Sequence, residues 1–214
     1  YAFDRCSGFT GGLNISYVEK LNEGAFYKCS GFNALTLCKR LLEIPNFAFY
    51  QCTGLTGEIL FPSVLSDVGS YAFYECSKLK GSIYFSDNLN TVGDYAFYKC
   101  SNFDGTLTLG ARIGYIGKCS FFECSRLKGS LEIRNSSYFK SDENYENGNR
   151  NTKLCIIDDY AFYKCTGFDG TLTLRYIQSI GKYSFYSCSG LKGSLDIRLQ
   201  YYPYNNNIEA YSSN

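Results

Sequence analysis

Eleven cysteines and no histidine set the chemistry open to this chain. A nucleophilic cysteine needs a base beside it, most often an imidazole, and none exists here. Cys119 and Cys124 stand at C-x4-C spacing, which could hold two corners of a metal site, but no second close pair and no His completes a zinc ligand set. The acidic residues fall at repeated surface positions rather than as a converging pair, and no glycine-rich phosphate loop is present. The sequence therefore implies no catalytic residue, no cofactor and no metal.

Composition narrows the partners as well. Twenty-one Lys and Arg against 20 Asp and Glu leave a formal charge of +1, with no run of one sign. That balance gives no reason to expect nucleic acid or an anionic membrane. No stretch reaches the ~18 apolar residues of a spanning helix, so no membrane insertion is expected of this segment. The start at Tyr1 inside a repeated motif, with no Met in 214 residues, points to a piece of a longer protein.

The elements that position these residues are set by a repeat. The string YAF-x-x-C recurs with substitutions eight times, ending at Cys6, Cys29, Cys52, Cys76, Cys100, Cys124, Cys165 and Cys188, at intervals of 23, 23, 24, 24, 24, 41 and 23 residues. The interval of 41 is one unit carrying 17 extra residues. A period of 20–29 residues is that of leucine-rich repeats, whereas propeller blades and helical-pair repeats need longer units. Leu107 and Leu109, Leu131 and Ile133, Leu172 and Leu174, and Leu195 and Ile197 alternate with other residues, which is strand spacing. Ala96, Phe97 and Cys100 recur at i, i+1 and i+4 and predict one or two helical turns, capped by Asp94 or Asp159. Gly81, Gly105, Gly129, Gly170 and Gly193 would turn the chain from helix into strand. One coil cannot bury its own apolar face, so coils stack about 4.8 Å apart. Phe3, Phe26, Phe49, Phe73, Phe97, Phe121, Phe162 and Phe185 would then form a buried spine. The repeat cysteines lie beside it as small hydrophobes, close enough to their neighbours that thiol orientation decides whether they bridge. Cys38, Cys119 and Cys155 lie outside that ladder, and Cys38 is expected to be exposed and oxidisable.

Residues Val92 to Leu109, V-G-D-Y-A-F-Y-K-C-S-N-F-D-G-T-L-T-L, resemble a unit of the BspA-like class of leucine-rich repeat. The resemblance runs over residues 1 to about 199 and keeps the Gly, Ala-Phe and Cys offsets in several copies. It departs where only Pro62 keeps the loop proline and where the unit at Ala34 is one residue short. It implies an α/β repeat fold, a right-handed solenoid with a parallel sheet on the concave face and short helices on the convex face. The expected organisation is one solenoid over 1–214, of about eight repeats, with an insertion at 134–154 and an irregular tail at 201–214. The implied function is noncatalytic adhesion or recognition of a protein or glycan, at a cell surface or secreted. The alternative is a structural part that stacks on further copies of the same chain, in the cytoplasm or outside.

A second pattern has twice the period. Lys80, Asp104, Lys128, Asp169 and Lys192 follow the repeat Cys by four residues, and Glu75, Lys99, Glu123 and Lys164 precede it directly. Stacked coils would set opposite signs side by side, which predicts ladders of ion pairs that fix register.

Three surfaces are candidates for binding. Outward strand residues form one column, Asn14, Leu60, Tyr84, Thr108, Glu132, Thr173 and Asp196, and a second, Ser16, Pro62, Ser86, Gly110, Arg134, Arg175 and Arg198. The three arginines, beside Glu132 and Asp196, either meet a carboxylate or phosphate of a partner or are neutralised by those acids. Tyr74 and Tyr98 belong to a tyrosine column on the other side, which either meets a partner or covers the core. Asn14-Ile15-Ser16 and Asn135-Ser136-Ser137 match the N-glycosylation pattern, making Asn14 and Asn135 candidate acceptors.

Overall fold

The computed structural model describes residues 1–134 and 154–198, and the 23- and 24-residue period becomes a stack of coils. Among the described residues thirteen short strands follow in chain order: β1 (Gly11–Asn14), β2 (Phe32–Thr36), β3 (Glu43–Ile44), β4 (Asp67–Val68), β5 (Ile83–Tyr84), β6 (Thr91–Val92), β7 (Leu107–Thr108), β8 (Tyr115–Ile116), β9 (Leu131–Arg134), β10 (Cys155–Ile157), β11 (Leu172–Arg175), β12 (Ile177–Ile180) and β13 (Leu195–Arg198). They fall into two rows, because most coils contribute two strands. The first row holds β1 with β2, β5 with β7, and β9, β11 and β13 in order. The second is a single six-stranded sheet, β12-β10-β8-β6-β4-β3. All pairs are parallel, as stacking of successive coils requires. Alternation holds in the middle of the first row, where Leu107 and Leu109 are buried and Thr108 between them is exposed, but not in β13, where Leu195 and Ile197, expected inward, are exposed.

The expected spine is present and buried from Phe26 to Phe162, although Phe3 at its end is exposed and Phe185 only partly buried. From Phe3 to Phe185, successive rings of the eight-membered column lie 5.2–5.6 Å apart with interplanar angles of 3–15°. A second column supports it edge-on, with Phe32, Phe103 and Phe168 meeting the stacked rings near a right angle. Each fully buried ring contributes about 1.5–3 kcal/mol through removal from water. Offset stacking adds to this without any polar partner.

The short helices expected before each Cys are not there; no helix occurs among the described residues. Instead the segment from Gly93 to Cys100 is a run of overlapping turns. Ala96, Tyr98 and Cys100 donate their N–H groups three residues back, to Gly93, Tyr95 and Phe97. The residues between them, Tyr95, Phe97 and Lys99, donate instead to Lys118, Ser120 and Phe122 of the next coil, at 2.7–2.8 Å. Tyr95 and Lys99 reach this geometry only with φ of 56°, and equivalent residues in other coils do the same. A left-handed conformation costs a non-glycine residue on the order of 1–3 kcal/mol. The bonds it creates to the next coil offset that cost. Spacing of i, i+1, i+4 therefore read as a helix because a turn that alternates its donors buries the same three side chains.

Asp94 and Asp159 do not cap helices. Each accepts the N–H of the equivalent residue one coil on, Lys118 at 2.9 Å and Lys182 at 2.6 Å. Asn46 serves Ser70 in the same way, and Ser70 serves Asp94. Lys118 has no acceptor to offer, and in the next coil Asp158 takes the place of the usual Gly and accepts the N–H of Asp159 itself.

The alternating charges also have a backbone cause rather than a ladder of ion pairs. Asp104 accepts the N–H of Gly81 at 3.0 Å, and Asp169 that of Gly129 at 2.7 Å. Gly81 and Gly129 have φ near 80°, which turns the N–H toward the next coil. Gly105 and Gly170 lack that conformation and are glycines for another reason, since a Cβ there would strike Ser82 or Ser130 of the preceding coil. Only Glu123 and Lys164 form an ion pair along the expected ladders, at 3.8 Å. Lys28 and Lys99 lie over the ring of the preceding tyrosine instead, and Lys164 does so as well as pairing with Glu123.

All eleven cysteines are free and all but Cys6 are buried, Cys38 included, contrary to the expectation that it would be exposed. Orientation explains why the ladder does not bridge. Seven thiols, from Cys29 to Cys188, donate to the carbonyl of the spine Phe one coil back, at 2.8–3.1 Å. Burial pushes Cys52 up to about 12 and Cys188 up to about 11, and raises Cys76, Cys100 and Cys165 as well. A buried thiol held from ionising is a poor nucleophile.

Two outcomes follow from this packing. Alkylation of the native chain should reach Cys6 alone at an appreciable rate and all eleven thiols after denaturation, and Cys100→Ala should lose about 1–3 kcal/mol of stability, read by denaturant titration. The bond from Gly81, first, and then Arg126 and Lys128 hold the Asp104 carboxyl below its ordinary range. A depressed carboxyl stabilises the fold above its unfolded value near 4 and loses that contribution as pH falls through its folded value. The midpoint of Asp104→Lys should therefore fall at high salt as well as at low, because the bond from Gly81 is lost at either, and the loss should shrink on acidification below about pH 4.

Candidate functional site

The outward residues of the first row come from the strands that position them. In register across adjacent strands stand Tyr84 with Thr108, and Glu132 with Thr173 and Asp196. Arg134, Arg175 and Arg198 likewise share one register position. Leu60 is 83% exposed and Tyr84, the corresponding residue of the next coil, 65% exposed. Such large side chains at equivalent positions of neighbouring coils would be core if they pointed inward. Pro62 and Gly110 of the second column are buried, so that column offers side chains to solvent mainly at its arginine end.

Two of these arginines meet acids within the chain. Arg134 pairs with Glu132 on its own strand, and Arg175 Nη2 meets Asp196 Oδ2 at 3.0 Å across strands. This is the neutralised arrangement rather than an open anion site.

Tyr74 and Tyr98 lie where the repeat predicts them, in a column running from Tyr27 through Tyr50, Tyr74, Tyr98, Phe122 and Tyr163 to Tyr186. Successive rings stack at 4.6–5.1 Å. Phe47, Tyr71 and Tyr95 form a second column, and its rings pack tilted against the first. Both faces of Tyr74 and Tyr98 are thus occupied by neighbouring rings, and only edges and hydroxyls meet solvent. Burial, and then the nearby Glu75, push the Tyr74 hydroxyl up to about 12. It remains neutral across the physiological range. Tyr84 differs, standing exposed and making no ring contact among the described residues.

Asn14 is exposed at the end of β1, and its Oδ1 accepts the N–H of Ser16 at 3.1 Å. Asn135 lies outside the described residues. Cys119 and Cys124 do not converge: Cys124 donates to the Phe97 carbonyl at 3.1 Å, while Cys119 meets the Tyr95 hydroxyl.

Sequence reasoning missed two arrangements. Tyr115 places its hydroxyl 2.9 Å from Oδ1 of Asp94 and 2.9 Å from Oδ2 of Asp158, which are two coils apart. Burial and these carboxylates raise its pKa well above the ordinary tyrosine value. Across β7 and β9, a surface groove of about 430 Å³ brings Asp87, Thr106, Thr108, Ser130, Glu132 and Arg134 together. Asp87 comes from the corner after β5, and strand alternation alone does not bring a corner residue to the strand face.

Comparison with known proteins places the architecture. The profile of the BspA type leucine-rich repeat region matches residues 1–128 and 131–207, in six copies. Among solved structures, a leucine-rich repeat protein of T. pallidum is similar at 21% identity and a TM-score of 0.62, over 85% of this chain and 78% of that one. A leucine-rich repeat protein from Bacteroides ovatus shares 19% identity over 89% and 68% of the two chains, with a TM-score of 0.43. A leucine-rich cell surface protein from Faecalibacterium prausnitzii shares 17% over 94% and 62%, with a TM-score of 0.40. No curated protein matches. With its repeat offsets, its stacked parallel strands and a family match over nearly its whole length, the chain belongs to the BspA-type leucine-rich repeat family.

Proposed function

We propose that this chain is a noncatalytic binding module that presents the outward residues of its first strand row to a protein or glycan ligand. On this reading that row is the concave side of a right-handed arc, displayed at a cell surface or secreted. Leucine-rich repeat domains generally mediate protein binding, and the Faecalibacterium relative is described as a cell surface protein. The observation that carries the reading is the contrast between the two sides. On the turn side the aromatic rings are consumed by stacking on one another, whereas Leu60 and Tyr84 stand free on adjacent coils of the strand face. Exposed apolar and aromatic side chains within a polar surround are the usual anchors of a recognition surface. Thr108, Glu132, Thr173 and Asp196 extend the same column with hydrogen-bonding groups.

The test is retention of the chain on immobilised extracellular-matrix proteins and mucin. Replacing Leu60 and Tyr84 together with Asp should weaken retention about tenfold or more while far-UV circular dichroism stays unchanged, since both side chains are exposed. Equal retention of the double variant would overturn the assignment of the face. Ordered polymers that grow with concentration, without retention, would favour the alternative structural role.

A further inference from the structure

The first strand row opens between β7 and β9. On one side of the opening β5 and β7 are closed by Ile83 N–H to the Thr106 carbonyl at 2.9 Å and Phe85 N–H to that of Thr108 at 3.0 Å. On the other, Leu131 N–H reaches the Thr171 carbonyl at 2.9 Å. Between them pairing starts in the usual way, with Lys128 N–H on the Gly105 carbonyl at 2.8 Å, and then stops. Main-chain groups of successive strand residues face opposite neighbours. Since Thr106 and Thr108 face β5, the N–H groups of Leu107 and Leu109 face β9. Since Leu131 faces β11, the carbonyls of Ser130 and Glu132 face β7. None of these four groups has a hydrogen-bond partner among the described residues, and the two strands are the facing edges of separate sheets. The groove of about 430 Å³ lies over this opening and is lined from both strands.

Unpaired strand edges are templates for another chain. Donors at Leu107 and Leu109 stand two residues apart on one wall, and acceptors at Ser130 and Glu132 two residues apart on the other. An extended peptide carries its own carbonyls and N–H groups at that repeat, ~3.3 Å per residue, and presents both kinds along both edges. A ligand that needs a ring to stack on is less well served, because none of the lining residues is aromatic. Charge selects further. Glu132 and Arg134 pair with each other, whereas Asp87 uses only Oδ1, which accepts the Ala111 N–H at 3.0 Å, and no cation pairs with it among the described residues. The uncompensated carboxylate at the groove favours a basic side chain. We propose that the groove between β7 and β9 seats an extended peptide segment of a partner protein, held by main-chain bonds to Leu107, Leu109, Ser130 and Glu132 and by a Lys or Arg at Asp87. The inference rests on the reading of the first strand row as the ligand face and names what one part of that face takes.

Amide NMR titration of the intact, isotope-labelled chain tests it. The probes are acetylated, amidated pentapeptides Thr-X-Lys-Z-Thr with Val, Leu or Tyr at X and Z, and the same set with Glu in place of Lys. At least one lysine peptide should shift the amides of Leu107, Leu109 and Glu132, and its Glu counterpart should bind about threefold more weakly or less. N-methylation of alternate amides of that peptide should weaken it about tenfold. Asp87→Asn should abolish the preference for Lys over Glu, and Tyr17→Ala, an exposed aromatic elsewhere, should change nothing. No binding by any lysine peptide, shifts that spare these amides, equal binding of the Glu series or indifference to N-methylation would each overturn the site. Shifts of the same amides on concentrating the chain alone would assign the groove to a second copy and overturn it too. If the chain holds a matrix protein through Leu60 and Tyr84 yet no peptide moves these amides, the binding-module reading stands and the peptide site falls. If neither is held, both fall.

Discussion

Half of the N–H groups in each turn cannot be satisfied within their own coil. Phe97 shows the constraint: its N–H points along the stack and ends on the Ser120 carbonyl, 2.7 Å away in the next coil. A buried amide without a partner costs about 1–3 kcal/mol, so a coil of this kind is stable only with a neighbour upon it. The same requirement fixes the other features. Parallel strands, rings about 5 Å apart and thiols aimed at the preceding coil's carbonyls are all consequences of one coil completing another. The Phe73 carbonyl takes both the N–H of Cys76 and the thiol of Cys100, which is why a residue with a donor and a small apolar body recurs there.

Where main-chain carbonyls do not reach, side chains supply the acceptor, and this produces the doubled period. Gly81 and Gly129, each next to a lysine, turn an N–H outward and are met by the aspartates of the following coil, whose own Gly105 and Gly170 turn no such donor outward. The series from Asn46 through Ser70 and Asp94 obeys the same rule until Lys118 interrupts it. Asp158 then repairs the break from within its own coil. Charge here is incidental to hydrogen-bond acceptance, which explains why the signs alternate while ion pairs between the alternating residues are few. An acceptor bonded to a backbone amide is also less sensitive to salt than an exposed ion pair would be.

Much of this was legible from residue spacing, and the failures have physical reasons. The period, the Phe spine and the in-out alternation of Leu107, Thr108 and Leu109 are geometric, so the sequence carries them directly. The helices expected around Ala96 and Phe97 failed because periodicity reports which side chains are buried, not where the N–H groups go. Nothing in the identity of Tyr95 or Lys99 announces a positive φ, although Gly24 stands at the position of Tyr95 and shares its conformation. Cys38 was placed outside because alternation was carried past the end of β2, where the chain has already left the strand. Of the groove, Thr108, Glu132 and Arg134 followed from alternation. Asp87, Thr106 and Ser130 needed the third dimension, since they come from a corner and from three different coils.

The division of labour between the two sides follows from the same constraint. On the turn side each aromatic ring has a neighbour of equal kind one coil away, so a substitution there disturbs two stacking contacts as well as its own burial. On the strand side the outward side chains of β5, β7 and β9 contribute little to the stack, and the backbone pairs whatever they are. Leu, Tyr, Thr and Glu can therefore succeed one another at equivalent positions without altering the coil. Chemical variety can accumulate only on a surface freed from the packing rule, which is why the proposed recognition surface is the strand face, while the tyrosine columns hold the coils in line.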